Sequence, residues 1–260
     1  DYAVAAGIDY VTELAKAHPE SRFVISMSLG APLEPSTEVE KKAIDDAIEA
    51  GVIVVAAAGN EGTEGMDSPG SYAPVISVGA SGWASYTEKY AFWGEWMMPG
   101  WWLEDVPEDN TYVSYIADFS ARENPELGVD QELDIVAPGS WVVGPYPLTP
   151  GQSHLPWWSN GKGKGVGGQY YYVGGTSMST PHVSGVAALM LQADPTLGQS
   201  EIEEILRNTA DTLPFAGGAF VFNVFTVEFD WITWGFDGLN AVGYGLLQAD
   251  AAVDYVLTPP

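Results

Sequence analysis

The sequence predicts an α/β fold with a parallel central sheet flanked by helices on both faces. Two observations predict it. Short apolar runs without polar alternation read as strands buried on both sides. Segments with apolar residues at helical spacing alternate with those runs, which is the rhythm of strands joined by crossover helices.

The elements follow in order. Tyr2 to Ala17 carries Val4, Ile8, Val11, Leu14 and Ala15 on one helical face. Phe23-Val24-Ile25-Ser26-Met27-Ser28 is a short apolar strand that ends in Leu29-Gly30. Thr37 to Ala50 reads as an amphipathic helix, with Ser36 as its candidate N-cap and Gly51 as its stop. Val52 to Ala57 is a β-branched run of the kind buried on both faces, and Val75 to Val78 is another. Tyr170 to Val173 reads as a strand, and Val186 to Gln192 as a buried helix. Phe220, Phe222, Val224 and the stretch from Thr226 to Trp234 alternate as a hairpin does.

Two segments interrupt the rhythm. Residues 83–115 hold ten aromatics in 33 positions, a density that predicts a packed excursion. A sugar-binding or membrane-touching aromatic patch is the sharper alternative. Residues 144–170 are rich in Pro and Gly and read as a surface loop. Gly161-Lys162-Gly163-Lys164-Gly165 lacks the strand-to-helix setting of a phosphate-cradling loop.

Composition narrows the function. The chain has 260 residues, with 35 Asp+Glu against 9 Lys+Arg and a formal net charge of −26. Such a field repels phosphate, which argues against a nucleic-acid partner and an anionic membrane surface. No apolar run is long enough for a membrane-spanning helix. The absence of cysteine excludes disulfides, thiolate metal sites and a Cys nucleophile. No signal peptide is visible, and the first residues read as mid-domain chain, so a processed or incomplete product is expected.

Three segments carry chemistry. Gly174-Gly175-Thr176-Ser177-Met178-Ser179-Thr180-Pro181-His182-Val183-Ser184-Gly185 lies between a strand and a helix. A serine at that corner meets free backbone N–H groups and the positive end of the helix dipole. A lone serine there usually only caps the helix. Ala56-Ala57-Ala58-Gly59-Asn60-Glu61-Gly62 follows a buried strand, so Asn60 falls at the carboxyl edge of the sheet, where ligands bind. Its amide can donate to a developing negative oxygen, although an Asn there is more often a turn residue. Ser26-Met27-Ser28-Leu29-Gly30 ends another strand at that edge and offers backbone to an extended peptide.

These segments, in this order, closely resemble the subtilisin-like serine peptidases, the subtilases. The resemblance covers residues about 1–82, 117–143 and 170–256. It implies the subtilisin-like three-layer sandwich, and Gly243 to Val253 looks like the family's terminal helix. Residues 1–256 are expected to form the C-terminal major part of a catalytic domain. Within it lie insertions at about 83–116 and 144–170, a hairpin at about 217–236, and then a tail at 257–260. The resemblance implies Ser177 as nucleophile, with the Asn60 side chain and the Ser177 backbone N–H as the oxyanion hole. It implies that Ser28, Leu29 and Gly30 hold the substrate backbone. It places the pocket for the P1 side chain, the residue before the scissile bond, between those residues, Ala57-Ala58-Gly59 and the loop before Pro69. Asp67 then falls near the pocket base and Glu61 at its rim, and two carboxylates there favour Lys or Arg.

The resemblance also implies a triad Asp and His in motifs that precede the strand at Phe23–Ser28, and the sequence contains neither motif. His182 belongs to the serine motif and reads as structural, His18 as a surface residue, and His154 lies in the Pro-rich insertion. The expectation is a serine endopeptidase whose His and Asp come from a separate N-terminal fragment acting on a peptide or protein substrate outside the cell. The chemistry needs no cofactor. The resemblance implies a weak structural cation site, best suited to calcium, at the backbone oxygens of Gly70, Tyr72 and Val75 with the carboxylate of Asp134. The rival readings are an inactive subtilase-like scaffold or peptide-binding module and, less well matched, an acidic calcium-binding structural protein.

Overall fold

The strand order of the sheet explains where the functional segments meet. In a computed structural model, the described residues are 2–83, 114–117, 119–129, 131–140, 142–145, 170–213, 218–223, 228–233 and 239–258. Strands β1 (Val24–Met27), β2 (Ile53–Ala57), β3 (Ile76–Trp83) and β5 (Ile135–Pro138) run parallel in the order β1-β2-β3-β5. The short β4 (Ser114–Ile116) pairs antiparallel with the end of β3. Two antiparallel pairs stand apart: β6 (Val142–Pro145) with β7 (Tyr170–Val173), and the hairpin β8 (Gly218–Asn223) with β9 (Glu228–Thr233).

The helices cover both faces, as the sequence predicts. Helices α1 (Tyr2–Ala17) and α2 (Glu38–Glu49) pack Ala5, Ile8, Ala43, Ile44 and Ala47 against Val52, Val54 and Ala56. On the other face α3 (Thr176–Ala193), α4 (Gln199–Thr209) and α6 (Ala249–Leu257) meet Ile53, Val55, Ile76, Val78 and Ile135. Successive residues of β2 thus feed opposite cores, and all five are buried. Full burial of each such aliphatic side chain is worth about 1.5–3 kcal/mol, so both faces stabilise the same strand. The helix α5 (Leu239–Val242) is a single turn.

Register leaves one exposed backbone step, and a side chain fills it. β2 pairs with β3 only from Val55 onward. The Gln199 side chain accepts from Val54 N at 2.9 Å and donates to Val54 O at 3.0 Å. Buried backbone groups require such partners.

Several local expectations shift. Thr37, not Ser36, caps α2, its hydroxyl accepting from Glu40 N at 3.3 Å. Ser36 is turned instead to Ser68, at 2.9 Å. The segment read as the terminal helix begins later, at Ala249. Gly243 and Gly245 hold positive φ, and Leu246 bridges to Val136 and Asp211. Helix α3 is buried along one side only, with Leu189 exposed. Most of the aromatic-rich segment 83–116 and of segment 144–170, His154 included, lies outside the described residues.

Candidate active site

β1, β2 and α3 bring the three segments together. Parallel strands β1 and β2 end side by side, so the residues after Met27 and after Ala57 emerge at one edge. Helix α3 starts at that edge. Its N-cap, Gly175, has φ +152°, a conformation that side chains rarely adopt, and its N–H donates to Gly139 O at 2.8 Å. The chain therefore turns sharply from β7 into the helix. Ser177 is the second helical residue, and its N–H has no acceptor within the helix.

Asn60 stands beside this corner. Its Oδ1 accepts from Thr176 N at 2.9 Å and from Thr176 Oγ1 at 3.1 Å. Thr176 Oγ1 also lies 3.0 Å from Gly59 O and 3.3 Å from Gly59 N. Thr176 is fully buried and locks the loop after β2 to the start of α3. With its oxygen engaged, the Asn60 amide keeps both N–H donors for a ligand, and no described residue accepts from them. Sequence reading missed Thr176 as the residue that orients this amide. The signal was present, since a threonine next to the nucleophile candidate can bond both ways.

Ser28 ties β1 to the same corner. Its hydroxyl donates to Ser177 O at 2.7 Å, while Ser177 Oγ lies 3.5 Å from Ser28 O. Ser28, Leu29 and Gly30 are exposed, as is Asn60, and Ser177 is half-buried. Leu29 is 43% exposed, so an apolar side chain lines an open edge next to the serine.

Asp67 sits between the two strand ends. A Cβ on Gly30 would lie 2.7 Å from Asp67 Cβ, and one on Gly59 would lie 2.6 Å from Asp67 Cγ and 2.7 Å from Glu61 Oε2. Glycine at both positions makes room for this carboxyl. Asp67 N donates to Ala58 O at 2.8 Å, and Ala57 and Ala58 are buried behind it. Glu61 Oε2 accepts from Asn60 N at 2.5 Å. Burial first, and then hydrogen bonding to Glu61 and its charge, push the Asp67 carboxyl up to about 7.

The two described histidines are engaged elsewhere. His182 Nδ1 lies 2.8 Å from Met178 O within α3, and His18 Nδ1 lies 3.3 Å from Glu20 on the surface.

Asp134, of the expected calcium set, makes several bonds within the protein. Asp134 Oδ2 accepts from Ser77 N at 2.7 Å and from Ser77 Oγ at 3.0 Å. Its Oδ1 accepts from Arg207 Nε at 3.0 Å. Arg207 also pairs with Glu132 and Glu203 and stacks on Tyr244, 4.6 Å from the ring centre. The guanidinium supplies a positive charge there, and the Asp134 carboxylate is bonded within the protein. Tyr72 O accepts from Val75 N at 2.8 Å, and Gly70 packs against Ala57 O. Sequence reading missed Arg207, although an arginine is a rare residue in this chain.

The model of the Subtilase family matches residues 3–226. Serine protease AprX of Bacillus subtilis (strain 168) is 31% identical over 215 residues, covering 80% of this chain and 42% of AprX. Subtilisin NAT of Bacillus subtilis subsp. natto is 32% identical over 194 residues, covering 73% of this chain and 36% of that protein. The chain thus spans less than half the length of these two relatives. Among solved structures, sphericase superposes with a TM-score of 0.58 and 26% identity over 94% of this chain and 62% of sphericase. Fervidolysin from Fervidobacterium pennivorans shares the fold, with a TM-score of 0.59 at 24% identity over 96% of this chain and 28% of its own. The strand ends, the glycine corner and the family match lead to one statement: this chain belongs to the subtilase family.

Proposed function

We propose that this chain is the larger part of the catalytic domain of a serine endopeptidase that cleaves peptide bonds through an acyl-enzyme on Ser177. The observation that carries the reading is the Asn60 amide, whose oxygen is held by Thr176 at the helix start while its N–H donors meet no acceptor among the described residues. With the Ser177 N–H, it forms a pair of donors for the oxygen that becomes negative as the tetrahedral intermediate forms. An extended substrate lies along Ser28, Leu29 and Gly30. The serine attacks the carbonyl carbon, and its proton goes to an imidazole held by a carboxylate. Among the described residues, His182 and His18 are engaged elsewhere, and His154 lies outside the described residues; the imidazole and its Asp are assigned to a separate segment folded against the Ser177 edge. The enzyme acts outside the cell, where such a hydrolase does not threaten its own producer.

The P1 pocket prefers Lys or Arg. The supporting observation is the buried Asp67 between Gly30 and Gly59, with Glu61 beside it. The strong negative charge of the chain adds a long-range attraction for basic substrates.

The test is active-site labelling. A fluorophosphonate probe applied to the full protein is expected to modify Ser177, and Ser177→Ala abolishes the label. An intact mass spectrum under denaturing conditions shows whether the partner segment travels as a second polypeptide. Persistent failure to label in material that contains the partner segment sinks the enzyme reading in favour of a peptide-binding scaffold.

A further inference from the structure

Asp67 is a buried acid with no cation beside it among the described residues. It is 6% exposed, and its Oδ1 has no hydrogen-bond partner among the described residues. A buried polar atom left unpaired costs about 1–3 kcal/mol, so its persistence calls for an explanation. Its surroundings are Gly30 after β1, Gly59 after β2, the Leu33 backbone and Glu61. Glu61 is the one charged group acting on it among the described residues. Glu40 lies behind, bonded to Ser68 Oγ at 2.9 Å. Asp67 and Glu61 both come within 2.8 Å of the position a Gly59 Cβ would take. Two carboxylates that close, out of water, do not both ionise without a counter-charge.

We infer that Asp67 holds a proton, hydrogen-bonded to Glu61, in the substrate-free protein and releases it when a cationic P1 side chain enters. This deepens the basic-P1 reading and rests on it. The guanidinium or ammonium takes the place of the proton, the Asp67 carboxyl is then ionised, and the proton passes to solvent. No bond other than O–H breaks. The unpaired Asp67 oxygen becomes an acceptor for the incoming N–H donors. Selectivity for a basic P1 residue therefore depends on pH. Below about pH 7 the cation competes with a bound proton, and above it the cation meets a ready dianion. A neutral P1 side chain displaces no proton and shows no such dependence.

The test is calorimetry on the full protein carrying Ser177→Ala, which prevents turnover. Two peptides are compared: one with arginine at P1 and one with its neutral isostere citrulline. Titrations in buffers of different ionisation enthalpy count protons. The arginine peptide is expected to release about one proton per site at about pH 6, falling toward none at about pH 9. Its affinity relative to the citrulline peptide rises about tenfold over that range, and the citrulline peptide releases none. Asp67→Asn removes the release and flattens the ratio. Tighter arginine binding with no proton released at any pH overturns the proton held by Asp67 and leaves the basic-P1 reading standing. Equal affinity for the two peptides, or no binding of either, overturns both.

Discussion

Glu132, Asp134 and Glu203 converge on Arg207, whereas Asp67 and Glu61 converge on each other. Counted with all acids ionised, each group carries two uncompensated negative charges. Each responds alike, for Glu203 and Asp67 are both pushed up to about 7, with burial the leading cause in both. The partners differ. In the Arg207 cluster, both Asp134 oxygens are bonded, to Ser77 and to the guanidinium. In the Asp67 pair, one oxygen has no partner among the described residues, and two glycines hold the group at the edge where Ser177 stands. The bonded acid cluster fastens α4 to the sheet, and the Asp67 pair stands at the edge proposed to bind substrate.

The sharpest way to break this contrast is Arg207→Met. It leaves three clustered acids without their cation and is expected to cost about 3–5 kcal/mol in unfolding free energy, measured by denaturant titration. A loss below about 1 kcal/mol means the cluster is not structural. Asn60→Ala addresses the other side. In a subtilisin, removal of the equivalent oxyanion donor costs about 10²–10³-fold in kcat, or about 2.7–4 kcal/mol of barrier. The same loss is expected here in the full protease. Stability should fall by only about 1 kcal/mol, for the bonds to Thr176. A large fall in melting temperature with kcat unchanged assigns Asn60 to the scaffold instead.

A smaller effect separates the two acids that hold protons. Both have folded pKa values near 7, above the unfolded values of about 3.9 for Asp and 4.3 for Glu. The folded state therefore binds protons more tightly, and stability falls as pH rises from about 4 to about 7. Asp67→Asn removes a contribution with no compensating cation. It should raise stability at about pH 8 by about 2 kcal/mol and change little at about pH 4. Glu203→Gln acts in the same direction over the same window. Its gain should be smaller, about 1 kcal/mol, because Arg207 loses a partner as the acid goes. Thermal melts at the two pH values read both variants, and a larger gain from Glu203→Gln reverses the comparison.

Much of the site was legible before the coordinates. The run Gly174 to Gly185 and the turn Ala56 to Gly62 are local patterns, and local patterns encode corners: a glycine with positive φ, a helix start, a strand end. The two faces of the sheet were legible too, because Val52 to Ala57 shows no polar alternation. Other features were not. Ser36 and Thr37 are both good caps, and only the bond between Ser36 and Ser68 decides which one is free to cap α2. The late start of α6 depends on Leu246 bridging to Val136 and Asp211, which no helical propensity anticipates.

The sequence by itself determined the class of fold, the family, and the residues gathered at the carboxyl edge of the sheet. Periodicity and corner chemistry are properties of neighbours along the chain. Only the tertiary structure decided the electrostatics. The resemblance places Asp134 at a cation site, but its bond to Arg207, 73 positions away, comes only with the fold. The resemblance places Asp67 near the pocket base, but its burial comes only when β1 and β2 bring Gly30 and Gly59 around it. The meaning of a buried charge lies in what surrounds it in space, and those surroundings are assembled from distant segments by the packing of the core.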